Sequence, residues 1–152
     1  DWSSDVCSSD LNEVEKWVKI SKVIKVSDDD LNWLYPNQSF KSIAMRWLNS
    51  KTELVVVTKG SDGISAFTNV KGEISEVTTP GIKTSVVDTV GAGDTVGAIV
   101  AKYLATENNF YQDPEKLISV LRECAIAAAI TCSRAGADTP SKIELEKALA
   151  NY

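Results

Sequence analysis

Asp88-Thr89-Val90-Gly91-Ala92-Gly93-Asp94-Thr95, running straight into Val96-Gly97-Ala98-Ile99-Val100-Ala101-Lys102-Tyr103-Leu104, decides how the rest of the chain is read. Two glycines around a single alanine let the backbone come close to a ligand. The apolar, alanine-rich run behind them predicts a buried helix that begins at that point. A helix begun this way is an anion site: its first N–H groups have no partner within the helix, and the positive end of the helix dipole faces outward, where a phosphate fits. Asp94 then has two readings. As an ordinary first-turn acid it is stabilised by the dipole; beside a bound phosphate it is also placed to take a proton from an incoming hydroxyl.

Outward from this motif, Lys83 to Asp88 is expected to be a strand leading into it, and the helix from Asp94 is expected to end near Ala105. A polar loop over 106–109 follows. Pro114 then opens a long helix through Leu117, Leu121, Cys124 and Ala128 to about Cys132. Residues 133–140 break it, and Ser141 caps a last helix with Ile143, Leu145, Ala148 and Leu149 on one side.

Upstream, Lys22 to Ser27 reads as a strand, and Asp28, Asp29 and Asp30 open a short helix stopped by Pro36. Ser39 to Asn49 carries a helical apolar spacing. Glu53 to Thr58 is a continuous apolar run suited to a parallel strand covered on both faces. Ile64 to Thr68 and Glu73 to Val77 are strands joined at Lys71-Gly72, and a turn follows at 78–81. The alternation predicts an α/β layered domain with a mainly parallel sheet. Ligands in such sheets bind beyond the carboxyl ends of the strands. The segments 28–30, 58–63 and 88–94 each follow a predicted strand and are expected on one rim.

The composition narrows the chemistry. At 152 residues and 43% hydrophobic the chain has material for a core, and a net charge of −5 with scattered basic residues argues against nucleic acid as a partner. No apolar run is long enough to span a membrane. With no histidine, His-based triads and His-containing zinc sites are excluded. Three cysteines without a Cys-x-x-Cys, with Cys124 and Cys132 in a helical stretch, read as small core residues of a cytoplasmic protein. Residues 1–11 repeat a Ser-Ser-Asp pattern without amphipathic period and resemble a translated sequencing adapter. They are expected to be a non-native leader, with residues 12–152 forming the domain.

The string Asp-Thr-x-Gly-Ala-Gly-Asp followed by a small-residue helix resembles the second signature of the PfkB, or ribokinase-like, carbohydrate kinases, and the chain looks most like the carboxyl-terminal half of the bacterial fructokinase branch. The resemblance implies a ribokinase-like Rossmann-type layered fold and ATP-dependent phosphorylation of a sugar hydroxyl. Asp94 matches the family's catalytic base, and Gly91, Ala92 and Gly93 match its anion hole. Thr58, Gly60 and Gly63 match the Thr-x-Gly-x-x-Gly nucleotide segment, and Gly136 matches the stretch that closes the adenine region, with Ala128 and Cys132 flanking the base.

By the same likeness Asp88 and the Val90 carbonyl fall where some relatives bind potassium, and Asp30 falls where a carboxylate helps place magnesium. Two departures stand out. Ser27 and Asp30 replace the family's Asn-x-x-Glu ends, and Val96 stands where most relatives carry phenylalanine. The family's sugar-contacting residue, first glycine-rich signature and lid have no match here. The implied whole is therefore a kinase of which residues 12–152 are the nucleotide-binding, base-carrying half; its partners are ATP and a sugar, and the parent is a candidate homodimer. An inactive nucleotide-binding remnant is the alternative. A nicotinamide-binding Rossmann module fits poorly because the glycine spacing departs from Gly-x-Gly-x-x-Gly, and no Walker phosphate loop occurs.

Overall fold

The computed structural model describes residues 2–152, with side chains from residue 10 onward, so Cys7 lies outside the described side chains. The elements follow in the order α1 (Trp2–Ile20), β1 (Val23–Ser27), α2 (Asp28–Leu34), α3 (Phe40–Leu48), β2 (Leu54–Thr58), β3 (Ile64–Val70), β4 (Glu73–Thr79), α4 (Ala92–Thr106), α5 (Pro114–Cys132) and α6 (Lys142–Leu149). Short 3-10 turns occupy Gly60–Asp62 and Phe110–Gln112. The chain forms two compact units, one reaching to Lys59 together with Ser65–Glu76, the other Gly60–Ile64 with Val77–Tyr152.

The strands make one sheet in the order β1-β2-β3-β4. β1 and β2 are parallel, with Val23 opposite Leu54 and Ser27 opposite Thr58. β3 returns along β2, since its five-residue connection is too short for a parallel crossover, and the Asn69 N–H donates to the Glu53 carbonyl at 3.0 Å. β3 and β4 are joined by Lys71-Gly72 with φ of 54° and 88°, the left-handed pair that matches hairpin twist. Over the described residues the α/β sheet is therefore mixed, with parallel pairing confined to β1 and β2, rather than mainly parallel.

In the first unit the helices are started by serines. Ser27 caps α2 and Ser39 caps α3, each accepting from a backbone N–H three residues on at 3.0 and 3.1 Å. The apolar spacing of α3 then turns Ile43, Ala44, Trp47 and Leu48 inward onto Val55, Val57 and Phe67. Leu54 through Val57 are all buried, so β2 is covered on both faces as its continuous apolar run predicts.

In the second unit α4 packs on α5. Glu123 of α5, itself buried, joins them: it accepts from Lys102 Nζ at 2.6 Å and from the Tyr103 hydroxyl at 2.7 Å. Burial, then the hydrogen bond to Glu123, pushes the Tyr103 hydroxyl up to about 12. Asp113 caps α5 ahead of Pro114, and Ser141 with Glu144 forms a reciprocal capping box on α6.

Three further expectations need correction. Lys83 to Asp88 is not a strand. The N–H groups of Val87 and Asp88 donate to the Cys132 carbonyl at 2.8 and 3.2 Å, the end of a helix rather than a ladder, and Val86 and Val87 stay exposed. α4 is buried along one stripe only, Thr95, Val96, Ile99 and Val100, while Ala98 and Ala101 face solvent. α6 forms where its spacing predicts, with Leu145, Ala148 and Leu149 half-buried and Ile143 exposed. Cys124 is fully buried as expected, with burial pushing its thiol up to about 12, whereas Cys132 is half-buried.

Candidate active site

The turn that opens α4 is built around Gly91, at φ 81°, a left-handed backbone that a side chain would strain. A second constraint acts there. A Cβ on Gly91 would lie 2.7 Å from the Ala137 Cβ. As the N-cap, Gly91 supplies no side-chain acceptor. The amides of Gly93 and Asp94 make no hydrogen bond to any described residue, and the Ala92 amide makes only a long turn bond to Thr89 O at 3.3 Å. The amides of Gly93 and Asp94 are thus the free donors of an anion site. Asp94 follows at once, exposed, its carboxylate in no ion pair with a described residue.

Asp88 locks this turn to the loop after α5. One carboxylate oxygen accepts the Val90 N–H at 3.0 Å and the other accepts the Gly136 N–H at 2.9 Å. The bonds from Val90 and then Gly136 hold the Asp88 carboxyl below the usual carboxylate range. With the Cys132 carbonyl gripping the residues just before it, the expected site residues Asp88, Val90, Gly91, Ala92, Gly93, Asp94, Cys132 and Gly136 fall into one cluster. Ala128 lies one helical turn before Cys132 and is half-buried, as Cys132 is.

Gly60 and Gly63 sit in the same unit, folded into a turn with Gly63 N–H donating to Gly60 O at 3.2 Å. Gly63, at φ 93°, presses against the 79–81 turn so closely that a Cβ would be 2.1 Å from Thr79 O. Asp30 and Thr58 belong to the first unit. They stand at the carboxyl ends of the parallel pair, where Ser27 faces Thr58 in register. The Thr58 hydroxyl donates to Val26 O at 3.4 Å, and the Asp30 carboxylate accepts from the Ser27 hydroxyl at 2.5 Å.

The sequence pattern of pfkB family carbohydrate kinases matches residues 3–144. The chain belongs to that family. Among pfkB-family relatives, the fructokinase of Rhizobium leguminosarum bv. trifolii is 37% identical over 100 residues, 66% of this chain and 29% of the relative. The solved fructokinase of Xylella fastidiosa with bound ATP superposes with a TM-score of 0.79 at 22% identity, over 93% of this chain and 46% of that one. A Vibrio cholerae fructokinase solved with fructose, ADP and calcium gives 0.77 at 23% identity, over 91% and 44%. At these identities the structures show a shared ribokinase-like α/β fold. The chain spans less than half the length of each.

Two residues that support this pfkB-family turn have no role in the sequence reading. Thr95 carried a signal, because a threonine four residues after Gly91 can bond back to its carbonyl. Thr131 carried none, standing 36 residues away and meeting Thr95 only in the folded unit. Among the described residues no three histidine, cysteine, aspartate or glutamate side chains form a metal cage, and no helix is long and apolar enough to cross a membrane.

Proposed function

We propose that the protein to which this chain belongs transfers the γ-phosphoryl group of ATP to a sugar hydroxyl, with fructose as the favoured acceptor. The observation that carries the reading is an exposed Asp94 carboxylate beside the unpaired Gly93 and Asp94 amides, in a chain of the pfkB family. In this mechanism Asp94 orients the acceptor hydroxyl and takes its proton as the oxygen–phosphorus bond forms and the bond to the departing ADP breaks. The amides of the Gly91–Gly93 turn and of Asp94 face the negative charge on the transferred phosphoryl, pre-aimed and needing no reorganisation. Thr58, Gly60, Gly63, Ala128, Cys132 and Gly136 are proposed to border the nucleotide.

Magnesium, when bound, supplies charge neutralisation across the phosphates. Asp30, exposed and with one oxygen taken by the Ser27 hydroxyl, would suit an outer role toward that ion, since among the described residues no three ligand-type side chains gather there. The Asp88 carboxylate and Val90 O, which accepts no bond from a described residue, are a donor set that fits a weakly held monovalent cation such as potassium.

The test is Asp94→Asn in the full-length protein. Turnover is expected to fall by orders of magnitude while ATP affinity changes little; a near-normal rate removes Asp94 from the role of base. Because the chain spans 29% of the Rhizobium relative, a second reading applies to this stretch alone, namely nucleotide binding without sugar phosphorylation. Incubating it with ATP, magnesium and fructose separates the two: sugar phosphate above background excludes the second reading.

A further inference from the structure

The Gly91 carbonyl accepts twice from one residue, from the Thr95 N–H at 2.9 Å and from the Thr95 hydroxyl at 2.8 Å. Behind that hydroxyl, at 3.1 Å, lies the hydroxyl of Thr131 on α5, and both threonines are buried, Thr131 completely. A hydroxyl has a single proton. With the Thr95 proton on Gly91 O, the proton of Thr131 is the one available to the contact between them, shared with Ala127 O at 3.0 Å. The Thr131 methyl also reaches the turn, 3.7 Å from where a Cβ of Gly91 would be.

The geometry matters because a peptide unit is planar. In a trans peptide the Gly91 carbonyl and the Ala92 N–H point in opposite directions, so fixing the carbonyl inward along the helix also fixes the Ala92 N–H, which donates to Thr89 O at 3.3 Å, and sets the turn from which the Gly93 and Asp94 amides follow. Gly91 has no side chain of its own to settle that orientation.

We propose that Thr131, acting through Thr95, is a positioning residue that holds the Gly91–Ala92 peptide, and with it the turn that presents the unpaired Gly93 and Asp94 amides to the phosphoryl group; this rests on the kinase reading above. The site is then set from α5 as well as from its own helix. Thr131 touches no reacting atom and works by holding the Thr95 side chain in place, with its hydroxyl against Gly91 O.

The test uses Thr131→Val and Thr131→Ser in the full-length protein, with two readouts. Amide hydrogen exchange without ligand is compared at Thr95, whose N–H is bonded to Gly91 O, and at Ile99, one turn further into α4. In Thr131→Val, exchange at Thr95 is expected to rise about tenfold with Ile99 unchanged, the size of one lost buried hydrogen bond. Steady-state kinetics are expected to give a kcat lowered about tenfold, with KM for ATP and sugar within about twofold, as for a mis-aimed transition-state donor. Thr131→Ser, which keeps the hydroxyl, is expected to restore both.

Exchange that rises equally at Ile99, or that does not rise at Thr95, overturns the proposal, as does an unchanged kcat. Should Thr131→Val fail to fold, Thr95→Ala removes the link from its other end and carries the same expectations. If the wild-type protein phosphorylates no sugar, the kinase reading falls, and exchange at Thr95 still decides whether Thr131 positions the turn.

Discussion

A methyl group on Gly91 would meet both a left-handed φ of 81° and the Ala137 Cβ at 2.7 Å. Strain of the first kind costs about 1–3 kcal/mol, and the contact adds to it because Ala137 belongs to the loop that Asp88 holds in place through Gly136. Gly91→Ala is therefore expected to lower the unfolding free energy by more than the strain alone, about 3 kcal/mol, read from urea melts, and to weaken ATP binding by moving the turn. Unchanged stability would mean that the turn relaxes without cost. Gly91 was legible in the sequence as a close-approach glycine. Its second constraint was not, because Ala137 comes near only after α5 has carried the chain back past the turn.

Among the elements, α6 shows how a sequence signal acquires a pH dependence. Ser141 and Glu144 cap the helix reciprocally, and Arg134, from the loop before it, donates to the same glutamate at 2.6 Å. The backbone bond from Ser141, then its side chain and Arg134, hold the Glu144 carboxyl at about 2 against an ordinary 4.5. A depressed folded value places the stabilisation above the unfolded pKa. It is complete above about pH 4.5 and is lost as the pH falls through about 2. The Ser141 amide resonance is expected to hold its position at pH 4.5, where an ordinary glutamate is half protonated; a titration midpoint there would refute the capping account.

The capping serine and the amphipathic spacing of α6 were readable in advance, yet Ile143 is exposed. Periodicity marks which residues share a face, and only packing decides whether that face is covered. Lys83 to Asp88 failed for a related reason. Its β-branched residues suit a strand, but a strand needs a neighbour, and the N–H groups of Val87 and Asp88 are bonded to the Cys132 carbonyl instead.

For the molecule as a whole, the interior of the first unit is the term to test. Ile43 is completely buried in the core that α3 makes with β2 and β3, so Ile43→Ala is expected to cost about 2–5 kcal/mol. Urea unfolding followed by tryptophan fluorescence should show a lower midpoint with the slope unchanged, whereas a changed slope would indicate an altered unfolded or native state instead.

The sequence by itself determined what depends on neighbours a few residues apart: the serine cap of α6, the Lys71-Gly72 hairpin, the buried run of β2 and the glycine turn that opens α4 beside Asp94. The tertiary structure decided what depends on distant ones. The bond from Gly136 to Asp88 spans 48 residues and the contact of Thr95 with Thr131 spans 36. The physical reason is that a cap or a turn is settled by local dihedrals and hydrogen bonds, while the aim of an amide or the pairing of a strand is settled by whichever side chains and carbonyls the rest of the fold brings within bonding distance.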